Sequence, residues 1–464
     1  MEKLQNKLIN LSWYPWIIFL SVTTGTFMVN VDSSILNVAL PILEEYFLVG
    51  PEVLQWVISS YLLMITGILP AMGKLSDLVG RKKMFMIGTA VFVSGSLLSA
   101  ISQSIVQLII FRIYQGIGAA ILQGNVMSII ANAFPAGNRG KALGMIGSVV
   151  AAGTIAGPAI GGFLIDFLGW RSIFWINFPI GLLGFIGAYL FLPKDSKEEI
   201  SRNKERNLDY LGAVLFFIAM VSLLLFVSNG HIWGWHSPIS WGIVILSIIS
   251  GILFYLWEIK LDQPLIDLTF FRISTFAVGS ITSYFSYVLI MFPSVLLPMF
   301  LYNVLQLTPI QIGAIMTFQA VAMMITAPIS GFLSDRIGNL WPALFGMTII
   351  TISLFLMGNY TENSTVFYII ATISFFGIGM ALFQSPVNVA IIESVPVNKA
   401  GITGGIIATI RNFGRVSGVA FAILFFQMSS IPTVFLIGSV IALFNLLLLV
   451  TRLKVTKREK KESY

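Results

Sequence analysis

The chain has 464 residues, of which 57% are hydrophobic and only 10% charged, where a soluble globular domain carries about 25% charge. It holds two histidines and no cysteine, which excludes disulfides, thiolate metal sites and cysteine nucleophiles. The net charge of +7 sits in short loops and the tail, not on a face that would bind nucleic acid, and apolar runs of about 20 residues recur throughout, so the sequence reads as a polytopic membrane protein.

Fourteen spans are predicted. The first, 14–40, continues past Val22 without a small-residue cleavage site and so is not a removed signal peptide. It contains "VDSSILNVALP", in which Asp32 is the one carboxylate deep within a span; Asp166, Glu258 and Glu393 lie near span ends. An acid inside a membrane is costly and is a functional-site hypothesis by default. The second span, 52–73, runs into "GKLSDLVGRKK", where Asp77 can pair with Arg81 or cap a neighbouring helix. The third is 83–103. The fourth, 105–132, carries Arg112 about two turns in, at a depth comparable to Asp32 in the outer half of span one. Desolvation favours a neutral acid and a guanidinium favours the anion, the opposed balance that proton coupling requires. A purely structural Asp–Arg pair is the other reading.

The fifth span, 140–168, holds "AGTIAGPAIGG" from Ala152. Glycine and an interior proline both weaken a helix. Gly153, Gly157 and Gly161 fall every four residues on one face, where small residues admit a neighbouring helix at close range, with Pro158 as a kink. After the sixth span, 172–192, a charged stretch leads to spans 209–229 and 238–258; His231 and His236 near their junction read as part of a polar loop, not as metal ligands. The last six are 274–302, 310–333, 341–358, 365–392, 400–427 and 431–451. Arg411 and Arg415 lie on span thirteen, either facing a cavity or set near its inner end. Of the 27 Lys and Arg, only Arg171 falls outside if the N-terminus is inside, which puts both termini in the cytoplasm.

The chain also resembles itself. "GIGAAILQGNVMSIIANAFPAGNRG" from Gly116 recurs as "GIGMALFQSPVNVAIIESVPVNKAG" from Gly377, and the same shift maps Gly153 and Gly157 onto Gly414 and Gly418. Two six-helix copies follow, with the substrate site expected at their interface and the inserted pair expected to be accessory. The expected division is 1–200, a linker with two helices at 201–262, and 263–464 with a basic tail.

"VDSSILNVALP", "GKLSDLVGRKK", "FRIYQGIGAA", "GTIAGPAIGG", "WRSIFWINFPIG", "LDYLGA" and "PLIDLTFFR", in this order, resemble the motifs of the fourteen-helix drug:proton antiporters of the major facilitator superfamily. The resemblance implies an all-α membrane fold of two six-helix bundles plus two inserted helices, and a multi-pass plasma-membrane exporter. It implies export of amphipathic aromatic drugs such as fluoroquinolones, dyes and monovalent lipophilic cations by alternating access, or else of one compound such as tetracycline. It further implies proton coupling at Asp32 and Arg112, a cytoplasmic gate at Gly73, Asp77, Gly80 and Arg81, and an antiporter motif at Gly153, Gly157, Pro158, Gly161 and Gly162. Residues expected to line the drug pocket are Tyr61, Gln123, Tyr284, Phe285, Phe318, Gln319, Gln384, Asn388, Arg411 and Asn412, with Asp32 reading substrate charge. The expected partners are small-molecule drugs, protons and the bilayer, for a monomer with no nucleic acid, no metal and no cofactor but the coupling proton. A membrane enzyme would need clustered catalytic groups at one depth, and the spans offer no such cluster.

Overall fold

The computed structural model describes residues 13–134, 136–193, 209–261, 266, 268–395 and 400–462. The side chain of Asp77, residues 194–208 across the expected boundary between the first bundle and the linker, and the side chains of the basic tail lie outside the described residues. Fourteen long helices are present: α1 (Tyr14–Phe47), α2 (Pro51–Val79), α3 (Arg81–Ala100), α4 (Ile105–Ala133), α5 (Ala136–Leu168), α6 (Asn177–Phe191), α7 (Tyr210–Trp233), α8 (Pro238–Glu258), α9 (Ser274–Asn303), α10 (Pro309–Ile337), α11 (Leu340–Met357), α12 (Val366–Glu393), α13 (Ala400–Met428) and α14 (Ile431–Glu462). A one-turn helix, Ser172–Trp175, precedes α6, and a short 3-10 helix, Leu268–Arg272, precedes α9. Among the described residues, thirteen helical segments are long and apolar enough to cross a membrane, and the described apolar part of α5, Ala152–Leu168, is shorter.

Several helices overrun their predicted spans. α1 passes through Pro41 to Phe47, so Asp32 lies near its midpoint and not in its outer half. α6 is interrupted at Ile176. Pro179 then falls in the first turn of the new helix, where a missing N–H is tolerated. This interruption sets Asn177 at the start of α6, fully buried.

The sequence repeat is a packing repeat. A methyl group on Gly153 or Gly157 of α5 would collide with α1, at Phe27 O (2.9 Å) or Ile35 N (2.8 Å). The equivalent Gly414 and Gly418 of α13 press on α9 in the same way, at Tyr284 O (2.8 Å) and Val288 O (2.6 Å). Likewise Gly118 of α4 lies against α3 and Gly379 of α12 against α11. Helices α1–α6 pack among themselves, as do α9–α14. The two groups meet along α5–α10, α2–α13 and α1–α9. The inserted α7 touches both α2 and α13, so it is seated on this seam.

The seam is tight at the end of the molecule away from the chain termini. There a methyl on Gly162 would come within 2.5 Å of Pro309 O, and the Pro158 carbonyl rests on Gly313. Tyr302 Oη donates to Glu45 Oε2 at 2.6 Å, and Gln427 Nε2 to Glu52 Oε2 at 3.2 Å. Toward the terminal end the bundles are bridged by longer contacts, from Arg411 Nη2 and Asn412 Nδ2 to Gln123 Oε1, both 3.4 Å.

Gly162 therefore separates seam packing from packing inside a bundle. Gly162→Leu is expected to insert and fold while holding the far end open. Spin labels at Leu48 and Gln306, both exposed at that end, should show longer distances in the variant than in the parent. An unchanged distance distribution would contradict this.

Candidate functional site

The structure joins Asp32 and Arg112. Arg112 Nη1 donates to Asp32 Oδ2 at 2.6 Å, with Asp32 1% and Arg112 0% exposed. The bridge is monodentate, and the rest of the network explains how it is held. Nη1 also donates to Gln115 Oε1 at 2.7 Å, and Nε to the carbonyl of Val57 at 3.2 Å. Gln115 Nε2 donates to Asp32 Oδ1 at 2.9 Å, and Asn177 Nδ2 donates to the same oxygen at 2.8 Å. Asn177 also donates to Ser96 Oγ at 2.9 Å, which donates onward to the carbonyl of Phe174 at 2.8 Å. The guanidinium carbon of Arg112 lies 4.0 Å from the centre of the Tyr61 ring, a cation–π contact that supports charge where water is excluded. Five helices thus contribute: α1, α2, α3, α4 and α6.

Gln115, Asn177 and Ser96 were not among the residues expected from sequence. Gln115 carried a usable signal, being one helical turn from Arg112 and hence on its face. Asn177 carried a weaker one, as a lone amide in an apolar span.

The Asp32 segment is backed by the glycine stripe. Gly153 lies against Asn30, and Gly157 and Gly161 against Ser34 and Ile35. Ser34 Oγ lies 3.3 Å from the carbonyl of Gly153. The expected antiporter motif therefore divides: Gly153, Gly157 and Gly161 serve α1–α5 contact inside one bundle, while Pro158 and Gly162 serve the seam with α10.

Among the expected gate residues, Gly73 lies beside Gly124 of α4, and Gly80 ends α2 at φ +106°, a conformation that favours glycine. Asn125 ties the turn together, accepting from Ser76 Oγ (2.5 Å) and donating to the carbonyl of Arg81 (2.6 Å). Lys82 donates to the carbonyls of Tyr189 and Leu192 (2.8 and 2.6 Å), a cation at the end of α6 that completes unpaired carbonyls. The pairing expected of Asp77 falls outside the described residues.

Between the bundles lies a cavity of about 70 Å³. Its α1 wall is Asn30, Ser33, Ser34 and Asn37, faced by Ser294 of α9, Gln319 of α10 and Arg415 of α13. Asp32 is absent from this wall, because two residues along a helix from Asn30 is the opposite side. It faces α4 instead, so the expectation that Asp32 reads substrate charge is not met. The other expected pocket residues scatter. Gln123 bridges to Arg411 and Asn412. Tyr284 stacks on Phe413 at 5.3 Å. Phe285 instead meets Phe444 of α14, and Phe318 is 46% exposed on the side of α10 away from the cavity, so neither lines it. Tyr61 is fully buried against Arg112, and Gln384 and Asn388 are half-buried in α12 outside the lining. Asp166 and Glu393 are exposed.

Comparison with known proteins fits this architecture. The family model described as Major Facilitator Superfamily matches residues 22–286 and again 276–464. The chain belongs to the major facilitator superfamily. It is 37% identical to the riboflavin transporter RibZ of Clostridioides difficile over 89% of each chain. It is 32% identical to the multidrug resistance protein Stp of Mycobacterium tuberculosis, over 85% of this chain and 73% of that one. A crystal structure of the human organic anion transporter MFSD10 shares the fold, with a TM-score of 0.64 at 16% identity, covering 94% of this chain and 99% of the other. The protein is a transporter of the superfamily's drug-efflux group, multi-pass in the plasma membrane, and not an enzyme.

The network predicts its own weak point. Gln115→Leu leaves Arg112 and Asp32 each short of a buried hydrogen bond, at a cost of about 1–3 kcal/mol. Its thermal unfolding midpoint in detergent should fall clearly below that of Gln123→Leu, which loses only long contacts. Equal midpoints would contradict the assignment.

Proposed function

We propose that this protein is a proton-coupled exporter of amphipathic aromatic compounds that works by alternating access. The observation that carries the proposal is the enclosed Asp32–Arg112 pair. A carboxylate at 1% exposure in a helix midpoint needs compensation, and here it receives three charge-directed donors. Such a site is built for two protonation states. With Asp32 ionised, Arg112 holds α1 to α4. When a proton occupies Oδ2, that oxygen no longer accepts from Nη1. Arg112 then retains Gln115, the Val57 carbonyl and the Tyr61 ring, so its charge is not abandoned. The pair can therefore loosen without unfolding, and α1 is released at the place where α5 rests on it. Since α5 also forms the seam with α10, the protonation state of Asp32 has a short mechanical route to the bundle interface.

Reading both termini as cytoplasmic makes the tightly sealed end the outer one. The proton would then enter after that seal opens to the outside and leave Asp32 after the inner side opens. One charge crossing 100 mV supplies about 2.3 kcal/mol, roughly a fifty-fold gradient of drug. Transport by a monomer is part of this reading. A second reading, transport of a single compound, is supported by the relative named a riboflavin transporter. Whole-cell resistance profiles across many drug classes separate the two.

The test is reconstitution. Wild-type protein in proteoliposomes should accumulate a fluorescent aromatic drug uphill under an imposed pH gradient. Asp32→Asn keeps the size and hydrogen bonding of the side chain, removes the titratable proton, and should abolish that accumulation while still inserting. Arg112→Lys keeps the charge without the planar fork and should reduce it by roughly tenfold or more. Uphill accumulation by Asp32→Asn at the wild-type rate would refute the proton site.

A further inference from the structure

The cavity wall that faces the seam carries one formal charge, and it is positive. Of the residues lining it, Arg415 is ionisable and the remainder are neutral polar or apolar. Arg415 makes no hydrogen bond or ion pair with any described residue, and its Nε is buried without a partner. Arg411, one turn earlier on α13, also has a buried, unpartnered Nε, and its terminal nitrogen reaches only Gln123 at 3.4 Å. Four residues apart on one helix, the two side chains lie on the same face. Two neighbouring cations without a carboxylate partner, inside a membrane protein, are costly. The contrast within the same fold is informative: Arg112, fully buried, is given Asp32, Gln115, a carbonyl and an aromatic face, whereas Arg415 is half-buried with only its Nε shut away, on the cavity wall. The folded chain supplies no such compensation to Arg415.

The surroundings narrow what could supply it. Tyr284 stacks on Phe413, which falls between the two arginines in sequence. Across the cavity the α1 wall offers amides and hydroxyls, suited to hydrogen-bonding groups on a ring system. Asp32 cannot neutralise a cationic ligand here, because its oxygens are engaged on the other side of α1.

We propose that Arg415, assisted by Arg411, anchors the carboxylate of an aromatic organic anion, so that the preferred substrates are aromatic monoanions or carboxylate-bearing zwitterions and not lipophilic cations. This rests on the exporter reading above and names its substrate class. A guanidinium facing a carboxylate forms paired charge-assisted hydrogen bonds that neither a neutral amide nor an ammonium can replace. The proposal also has a consequence for energetics. In one-for-one exchange with a proton, outward passage of a monoanion moves two charges per cycle in the direction favoured by an inside-negative potential.

The experiment is an equilibrium binding series on the full-length protein in lipid nanodiscs, with no gradient, so its outcome is independent of proton coupling. The probes are 2-naphthoate, 2-naphthamide and 2-naphthylmethylammonium, which share a ring and differ in charge. Wild-type protein should bind naphthoate at least tenfold more tightly than the amide, and the ammonium most weakly. Arg415→Gln should bring naphthoate down to the level of the amide, and Arg415→Lys should restore part of the preference. If Arg415→Gln does not fold, the wild-type order of the three probes still decides. Binding of the amide or ammonium as tightly as naphthoate, no binding of any probe, or a preference that survives in a folded Arg415→Gln protein would each overturn the proposal. Failure of pH-driven accumulation with the charge preference intact would instead fault the coupling scheme alone.

Discussion

Placing a carboxylate and a guanidinium together inside a membrane is the constraint on which this structure turns. Either ion alone would be costly in that setting, and even the pair is stable only if its remaining donors and acceptors are met. The fold meets them from five helices, α2 giving the Val57 carbonyl and the Tyr61 ring. α1 supplies the acid and α4 the arginine and a glutamine. The broken start of α6 supplies Asn177, and α3 supplies the serine that orients it. The interruption of α6 and the glycine stripe of α5 become intelligible from this one requirement: each brings backbone close enough for short side chains to reach.

The same packing ties local chemistry to global motion. α5 presents two faces. One, carrying Gly153, Gly157 and Gly161, fits α1 beside Asp32; the other, carrying Pro158 and Gly162, fits α10 of the opposite bundle. A change in how α1 is held is therefore felt one helix away, at the seam. The counterpart contact of α13 on α9 has the same glycines but different chemistry, since it carries Arg411 and Arg415 where α5 carries neutral residues. The repeat is symmetric in packing and asymmetric in charge. That asymmetry separates the Asp32–Arg112 pair, enclosed in one half, from the cationic wall contributed by the other.

Much of the fold was legible in the sequence because bilayer length and a shifted glycine pattern are strong one-dimensional signals. Asp32 and Arg112 were legible because charge in an apolar span is rare. Gln115 and Asn177 were harder: a single amide in a span is compatible with many roles, and the break in α6 that orients Asn177 is a backbone event marked only by Pro179. The aromatic candidates fared worst. Tyr61 proved to be part of the arginine site, and Phe285 and Phe318 turned out to face α14 and the exterior. An aromatic ring is equally at home in lipid, in a core and in a pocket, so residue type without helical phase decides little. Arg415 shows the opposite case. Its importance rests on what it lacks around it, which no sequence pattern displays.

The central claim is that Asp32 itself takes up and releases the coupling proton. Infrared difference spectroscopy on the protein in lipid, stepped between acidic and alkaline buffer, reads this directly through the carbonyl stretch of a protonated carboxylic acid. The account predicts a band from a buried, hydrogen-bonded carboxylic acid in the wild type that is missing from Asp32→Asn and shifted in Gln115→Leu, where one of its donors has been removed. The same band at the same intensity in wild type and Asp32→Asn would show that the proton resides elsewhere.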